Sequence, residues 1–275
     1  MAIKHLPAKL RTRIKKESRL NGGKMNPNGV IIYRGKSQLN GAPIVAVMTG
    51  IANPSSNPKT GKMYQIYILV DNGKTAVENH RTGEDFAVCG DCPLRGKYDA
   101  NGDYIKGTRV CYVNLGHAPH AIIQCLNAGG YVDISDDPEL ITELCSGHYI
   151  RGGSYGDPAA VLALIWQLCF DAAASHTAYT HQWAKGKFSY LRQYAMASVD
   201  TASQALGAAA SGWRYFRLDE TSQKLEGQKE VVCPSTTIGL SCAECKACSG
   251  LTGGRTASVV IPVHGSGAAA FNAAA

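Results

Sequence analysis

Apolar residues fall in short runs, and their spacing changes character along the chain. VIIYR at 30–34, PIVAVMTG at 43–50 and MYQIYILV at 63–70 are rich in β-formers and separated by Asn, Pro, Gly and Ser clusters such as NPSSNPKTG. Three strands joined by turns are predicted there. Residues Ser55, Ser56, Asn57, Lys59 and Thr60 of the intervening loop suit phosphate binding and ordinary turn chemistry equally well. From about residue 110 apolar strands alternate with helical stretches: VCYVN, then APHAIIQCLNAGG; HYIRGGS, then PAAVLALIWQLCFDAAA; HTAYTHQW, then a polar helix; MASV, then TASQALGAAA; and finally WRYFRL, EVVCP and ASVVIPV. Alternation with short connections predicts parallel β/α units. The expected fold is α/β, a partial or complete (β/α) barrel-like parallel sheet, although an open doubly wound sheet gives the same string. The division expected is a basic arm at 1–28, a β-rich region at 29–109, and the barrel-like domain at 110–275 with a metal site at 233–264.

Two aspartates stand where predicted strands end and helices begin. Asp157 precedes Pro158, and Asp200 precedes Thr201. An acid before a proline or threonine caps a helix, and the same strand ends host the chemistry of parallel β/α proteins, so each aspartate has a capping and a catalytic claim.

Charge refines this picture. Hydrophobic residues make up 45% of the chain and charged ones 18%, a globular composition rather than a disordered one. No apolar run approaches the roughly 20 residues of a membrane helix, and MAIKHLPAKLRTRIKK lacks the apolar core of a secretory signal, so a soluble cytosolic protein with no membrane partner is expected. The net charge of +7 is concentrated in the first 36 residues, where Lys4, Lys9, Arg11, Arg13, Lys15, Lys16, Arg19, Lys24, Arg34 and Lys36 face one acid, Glu17. Such a segment attracts a polyanion, and Lys9, Arg11, Arg13, Lys15, Lys16 and Arg19 are the candidate DNA contacts; a solvated tail is the alternative.

In a reducing compartment, clustered thiols point to metal binding or catalysis. Of the ten cysteines, Cys125, Cys145 and Cys169 sit singly among apolar neighbours and read as buried small hydrophobes. Cys233, Cys242, Cys245 and Cys248 form a C-x2-C-x2-C cluster with a fourth member at a strand end. Turns of that spacing bring two sulfurs onto one ion, so zinc is expected, with His264 an alternative ligand and a four-iron, four-sulfur cluster the alternative cofactor. Cys89, Cys92 and Cys111 offer three more thiolates, with His117 or His120 as a fourth donor; the alternative is a pair of buried thiols at a turn.

The stretches GKSQLNGAPIVAVMTG, SSNPKTGKM, VCGDCPLRG, RVCYVN, SYGDPAAV, YTHQW, MASVD, GWRYFR and the segment from VVCPS to KACSG together resemble a widespread Cys-rich family of tailed-phage proteins. More distantly, a (β/α) barrel with carboxylates at strand ends and a C-terminal cysteine site is similar to the phage DNA guanine transglycosylases, which insert 7-deazaguanine bases. Their zinc pattern, C-x-C-x2-C followed by histidine, differs in spacing from Cys242, Cys245, Cys248 and His264, and Cys233 is additional. That likeness implies exchange of guanine in DNA for a 7-deazapurine base through a carboxylate nucleophile and a second acid/base group, with Asp157 and Asp200 as the pair. A flipped base would need aromatic and polar contacts, for which Tyr155, Tyr179, His181, Gln182, Trp183 and Trp213 are the candidates. Two other readings remain at this stage: an iron-sulfur enzyme related to the radical S-adenosylmethionine barrels, and a non-catalytic, zinc-stabilised nucleic-acid-binding phage protein.

Overall fold

The computed structural model describes residues 3–263. His264 therefore lies outside the described residues. The elements in chain order are α1 (Ala8–Leu20), β1 (Gly29–Lys36), β2 (Pro43–Thr49), β3 (Tyr64–Val70), α2 (Ala76–Arg81), α3 (Phe86–Cys89), α4 (Ala118–Asn127), β4 (Val132–Asp133), α5 (Pro138–Cys145), β5 (Tyr149–Tyr155), α6 (Ala163–Phe170), β6 (Ser175–Thr180), β7 (Met196–Val199), α7 (Ala202–Ala210), β8 (Tyr215–Asp219), β9 (Glu230–Val232), α8 (Pro234–Thr237), α9 (Cys242–Cys245) and β10 (Ser258–Pro262). Short 3-10 turns cover Pro158–Ala160 and Gly186–Gln193.

All ten strands join one sheet in the order β4-β1-β2-β3-β5-β6-β7-β8-β10-β9. Only β2 is antiparallel to its neighbours, and every other strand runs in one direction. Among the described residues no ladder joins β4 to β9, so the row is an open sheet rather than a closed barrel. The regions 29–109 and 110–275 share this sheet, because β3 pairs with β5. The near-continuous apolar runs of β1, β2 and β3 are buried on both faces, as expected of inner strands covered by helices.

Three segments depart from the sequence pattern. VCYVN at 110–114 forms no strand: the N–H groups of Val110 and Cys111 both donate to the Leu94 carbonyl, and the segment closes a loop instead of a ladder. The basic arm contains a helix, α1, whose Leu10 and Ile14 enter the main core together with Leu6 just before it. β4 and α5 were hidden in a short segment of strand, turn and helix whose strand is only two residues long.

The strand order reverses between β3 and β5. The chain leaves β3 toward the β4 edge and leaves β5 toward β6, and the crevice at such a reversal, beyond the C-terminal strand ends, is where open parallel sheets place ligands. Two loops converge there, since Asp157 N–H donates to the Val88 carbonyl at 2.6 Å and Gln38 N–H donates to the Ala160 carbonyl.

Candidate functional site

Asp157, His181 and Asp200 follow the C-terminal ends of the neighbouring parallel strands β5, β6 and β7. Gly156 makes the turn into Asp157: its φ of +83° is left-handed, and a Cβ there would lie 2.7 Å from the Ile68 Cβ. Asp157 is buried, and both its oxygens are engaged. Oδ1 accepts from Ala159 N–H at 2.9 Å and from the Thr180 hydroxyl at 2.7 Å, while Oδ2 accepts from His181 N–H at 2.8 Å. Burial raises its pKa to about 6 against the opposing pull of those donors. The capping claim holds for Asp157, which also ties β5 to β6.

Asp200 is different. The α7 cap is Thr201, whose hydroxyl accepts from Gln204 N–H, so the Asp200 carboxyl is not used for capping. Its Oδ1 is buried without a hydrogen-bond partner, and its Oδ2 lies 3.9 Å from His181 Nε2, which also has none. Burial raises Asp200 to about 6 and lowers His181 to about 4, leaving a neutral imidazole beside an acid poised just below neutrality. Gln182 is buried, donates from Nε2 to the Cys89 carbonyl at 3.3 Å, and has an unpartnered Oε1.

The thiol turn at Cys89 and Cys92 packs against this end of the sheet. Cys92 N–H donates to the Cys89 carbonyl, and Gly90, at φ +56°, leaves room for the Gln182 amide. Burial pushes the Cys92 thiol up, and Cys111, Asp157 and Asp200 add to the effect. The loop carrying these thiols is pinned by Asp85, which is buried, pairs with Arg95 and His80, and accepts from Tyr98. His117 is exposed at the start of α4.

The C-terminal cysteines occupy another place. Cys233 and Cys248 share a small apolar cluster with Met196 and Val259, against which Tyr179 and Phe216 also pack. Burial lifts Cys248 to about 12, with Cys242, Cys233 and Cys245 adding and a hydrogen bond from the Tyr179 hydroxyl opposing. Cys242 and Ala243 N–H groups donate to the carbonyls of Lys59 and Thr60, so the polar loop at 55–60 holds the cysteine segment. Arg214 clamps the far side: its guanidinium donates to the carbonyls of Ala247, Gly250 and Ala257. Among the described residues no three His, Cys, Asp or Glu side chains already meet around one point. The chemistry of the four neighbouring thiols nevertheless fits a soft metal. Cys145 and Cys169 are fully buried in the apolar core, as their sequence settings predict, whereas Cys125 is only half-buried at the edge of that core.

The aromatic candidates divide. Tyr155 is buried in β5, where Cys89, Asp85 and Cys111 act on its hydroxyl. Tyr179 belongs with the C-terminal cysteines, edge-on to Phe216 and near the Arg151 guanidinium. Trp183 packs half-buried against the core two residues after His181, whereas Trp213 is buried at the opposite, N-terminal end of β8. Sequence reading did not identify Thr180, whose hydroxyl braces Asp157, or Arg214; buried polar residues inside apolar strings were their only signal.

On α1, Lys9 and Arg13 are paired with Asp136 and Asp137, which removes them from the exposed basic row. Arg11 is half-buried, and Thr12, Lys15, Lys16, Arg19 and Leu20 line a shallow groove. Among the described residues no helix is long and apolar enough to cross a membrane. No protein-family model, curated protein or solved structure matches this chain.

Proposed function

We propose that the chain is a DNA-modifying enzyme of the phage type, exchanging guanine for a 7-deazaguanine base. The observation that carries this reading is Asp200: a carboxyl at a parallel strand end, free of capping duty, with one buried oxygen unpartnered and a neutral imidazole beside it. A group held that way at a cost in desolvation is kept for chemistry more readily than for stability.

The two aspartates take different roles. Asp157, fully hydrogen-bonded, positions the His181 backbone and closes the β5–β6 corner. Asp200 supplies the reacting oxygen. Its carboxylate attacks the sugar C1′, the C1′–N9 bond breaks, and its electron pair leaves with guanine, which takes a proton at nitrogen. A glycosyl ester on Asp200 results. The incoming deazapurine then attacks C1′ through its own ring nitrogen, gives up that proton, and releases Asp200. Neutral His181, whose Nε2 lies 3.9 Å from Asp200 Oδ2, accepts the proton that the incoming base gives up and passes it to water, and water supplies the proton that the departing guanine takes. Gln182 Oε1 offers an acceptor to the edge of an extruded base, and Trp183 and Tyr155 border the same end of the sheet. Thr12, Lys15, Lys16 and Arg19 supply phosphate contacts, and Cys233, Cys242, Cys245 and Cys248 hold a structural zinc.

Expression with a deazapurine supply, digestion of cellular DNA to nucleosides and mass spectrometry test the proposal. A deazaguanine nucleoside is expected with the wild type and not with Asp200→Ala. Its absence with the wild type, alongside a working control enzyme, contradicts it. Full biological effect from both Asp157→Ala and Asp200→Ala favours the non-catalytic nucleic-acid-binding reading.

A further inference from the structure

Cys92 stands near Asp157 and Asp200, with Cys89 and Cys111 close to it, and the base-exchange chemistry makes no use of these thiols. Cys89 and Cys92 are joined by a C-x2-C turn, and the backbone of Cys111 is bonded to Leu94, two residues beyond Cys92. The turn is docked on the site, since Val88 O receives Asp157 N–H and Cys89 O receives the Gln182 side chain. Three buried polar atoms nearby lack partners: His181 Nε2, Gln182 Oε1 and Asp200 Oδ1.

The local backbone also repeats that of the other cysteine group. Cys92 precedes Pro93 with φ −57° and ψ 119°, and Cys233 precedes Pro234 with φ −54° and ψ 119°.

We infer that Cys89, Cys92 and Cys111 hold a second thiophilic metal centre, zinc or an iron-sulfur cluster, at the catalytic end of the sheet, with a coordination position left open toward Asp200 and His181. Three protein thiolates plus an open position distinguish a working metal site from a closed structural one. His117, exposed at the start of α4, is not needed as a ligand. A metal there polarises a bound water or substrate atom next to the acid/base pair. The inference rests on the reading of Asp200 and His181 as the reactive end of the sheet, but its test does not use base exchange.

Full-length protein purified without oxygen is analysed for metal per chain and for visible absorption. Wild type is expected to carry two centres. Cys89→Ser/Cys92→Ser/Cys111→Ser is expected to keep one, and Cys242→Ser/Cys245→Ser to keep the other. The single Cys111→Ser, chosen because one replacement disturbs folding least, is expected to lose metal to a chelator at least about 10-fold faster from one centre only. A colourless protein assigns zinc and a brown one iron-sulfur, and either supports the centre. Metal content and chelator resistance unchanged by all replacements at 89, 92 and 111 overturn it. Two centres without deazaguanine product would remove the proposed reaction and leave this inference standing; product from a protein whose metal is indifferent to these cysteines would do the reverse.

Discussion

Asp200 and Asp157 look alike in sequence and differ in what surrounds them. Asp200 is half-buried with its Oδ1 sealed from water and without a hydrogen-bond partner, so its neutral form is favoured and its pKa rises to about 6. A raised carboxyl binds its proton more tightly in the folded state, and its contribution to stability is present at about pH 4 and lost as pH rises through 6. Asp200→Asn therefore removes a penalty at pH 7, and a gain on the order of 1–2 kcal/mol is expected in urea unfolding. Base-exchange activity is expected to vanish in the same variant. His181 and His176, both lowered to about 4 by burial, act in the opposite sense, adding stability as pH rises from about 4 toward 6.5. The wild-type profile across this window should be shallow, and in Asp200→Asn stability should climb more steeply with pH. Asp157→Asn behaves otherwise, because it disturbs the donors from Ala159, Thr180 and His181; a loss of about 1–3 kcal/mol is expected. Both aspartates stand at a strand end before a helical turn, and that position alone does not separate these outcomes. The distinction lies in Thr201, which took the cap and left Asp200 free.

At the scale of elements, strand and helix positions were legible where apolar runs are long and bounded by turn residues: β1 to β3, β5 to β8 and β10 fall on the expected stretches. VCYVN failed because its neighbours in space are a loop and the Leu94 carbonyl, which periodicity does not reveal. α1 was masked by its charge, since only Leu10 and Ile14 within it are buried. The Gly156 turn delivers Asp157 to the crevice, and Gly156→Ala adds a Cβ against Ile68 at a left-handed φ. A cost of about 2–4 kcal/mol is expected, read as a lower urea midpoint with unchanged slope. Arg214 fastens the segment between Ala247 and Ala257 through three carbonyls, and Arg214→Ala leaves those carbonyls without a donor. Faster hydrogen exchange at 247–257, with the β1–β3 ladder unaffected, is the expected signature.

For the whole molecule, the proposed reactive groups follow the C-terminal ends of the adjacent strands β5, β6 and β7, on one side of the point where strand order reverses, a position that no local pattern specifies. The sequence supports parallel β/α units but is compatible with either a barrel or an open row, because closure depends on pairing between distant strands. Likewise the basic N-terminal region was visible as charge, yet its pairing with Asp136 and Asp137 needed the fold of α5. Lys15→Ala/Lys16→Ala/Arg19→Ala should weaken DNA binding across sequences and flatten its salt dependence by roughly one to three units of slope, while Lys9→Ala should change binding little. Fluorescence anisotropy over a salt series reads both. The reaction itself is tested most directly by incubating purified protein, duplex DNA and isotopically labelled guanine, then measuring label in the DNA after digestion to nucleosides. Label entering deoxyguanosine with wild type, and falling at least about 1,000-fold with Asp200→Asn, is the predicted result; no label with a folded, metal-replete wild type, or equal label with both proteins, contradicts the assignment of Asp200 as the group that opens the glycosidic bond.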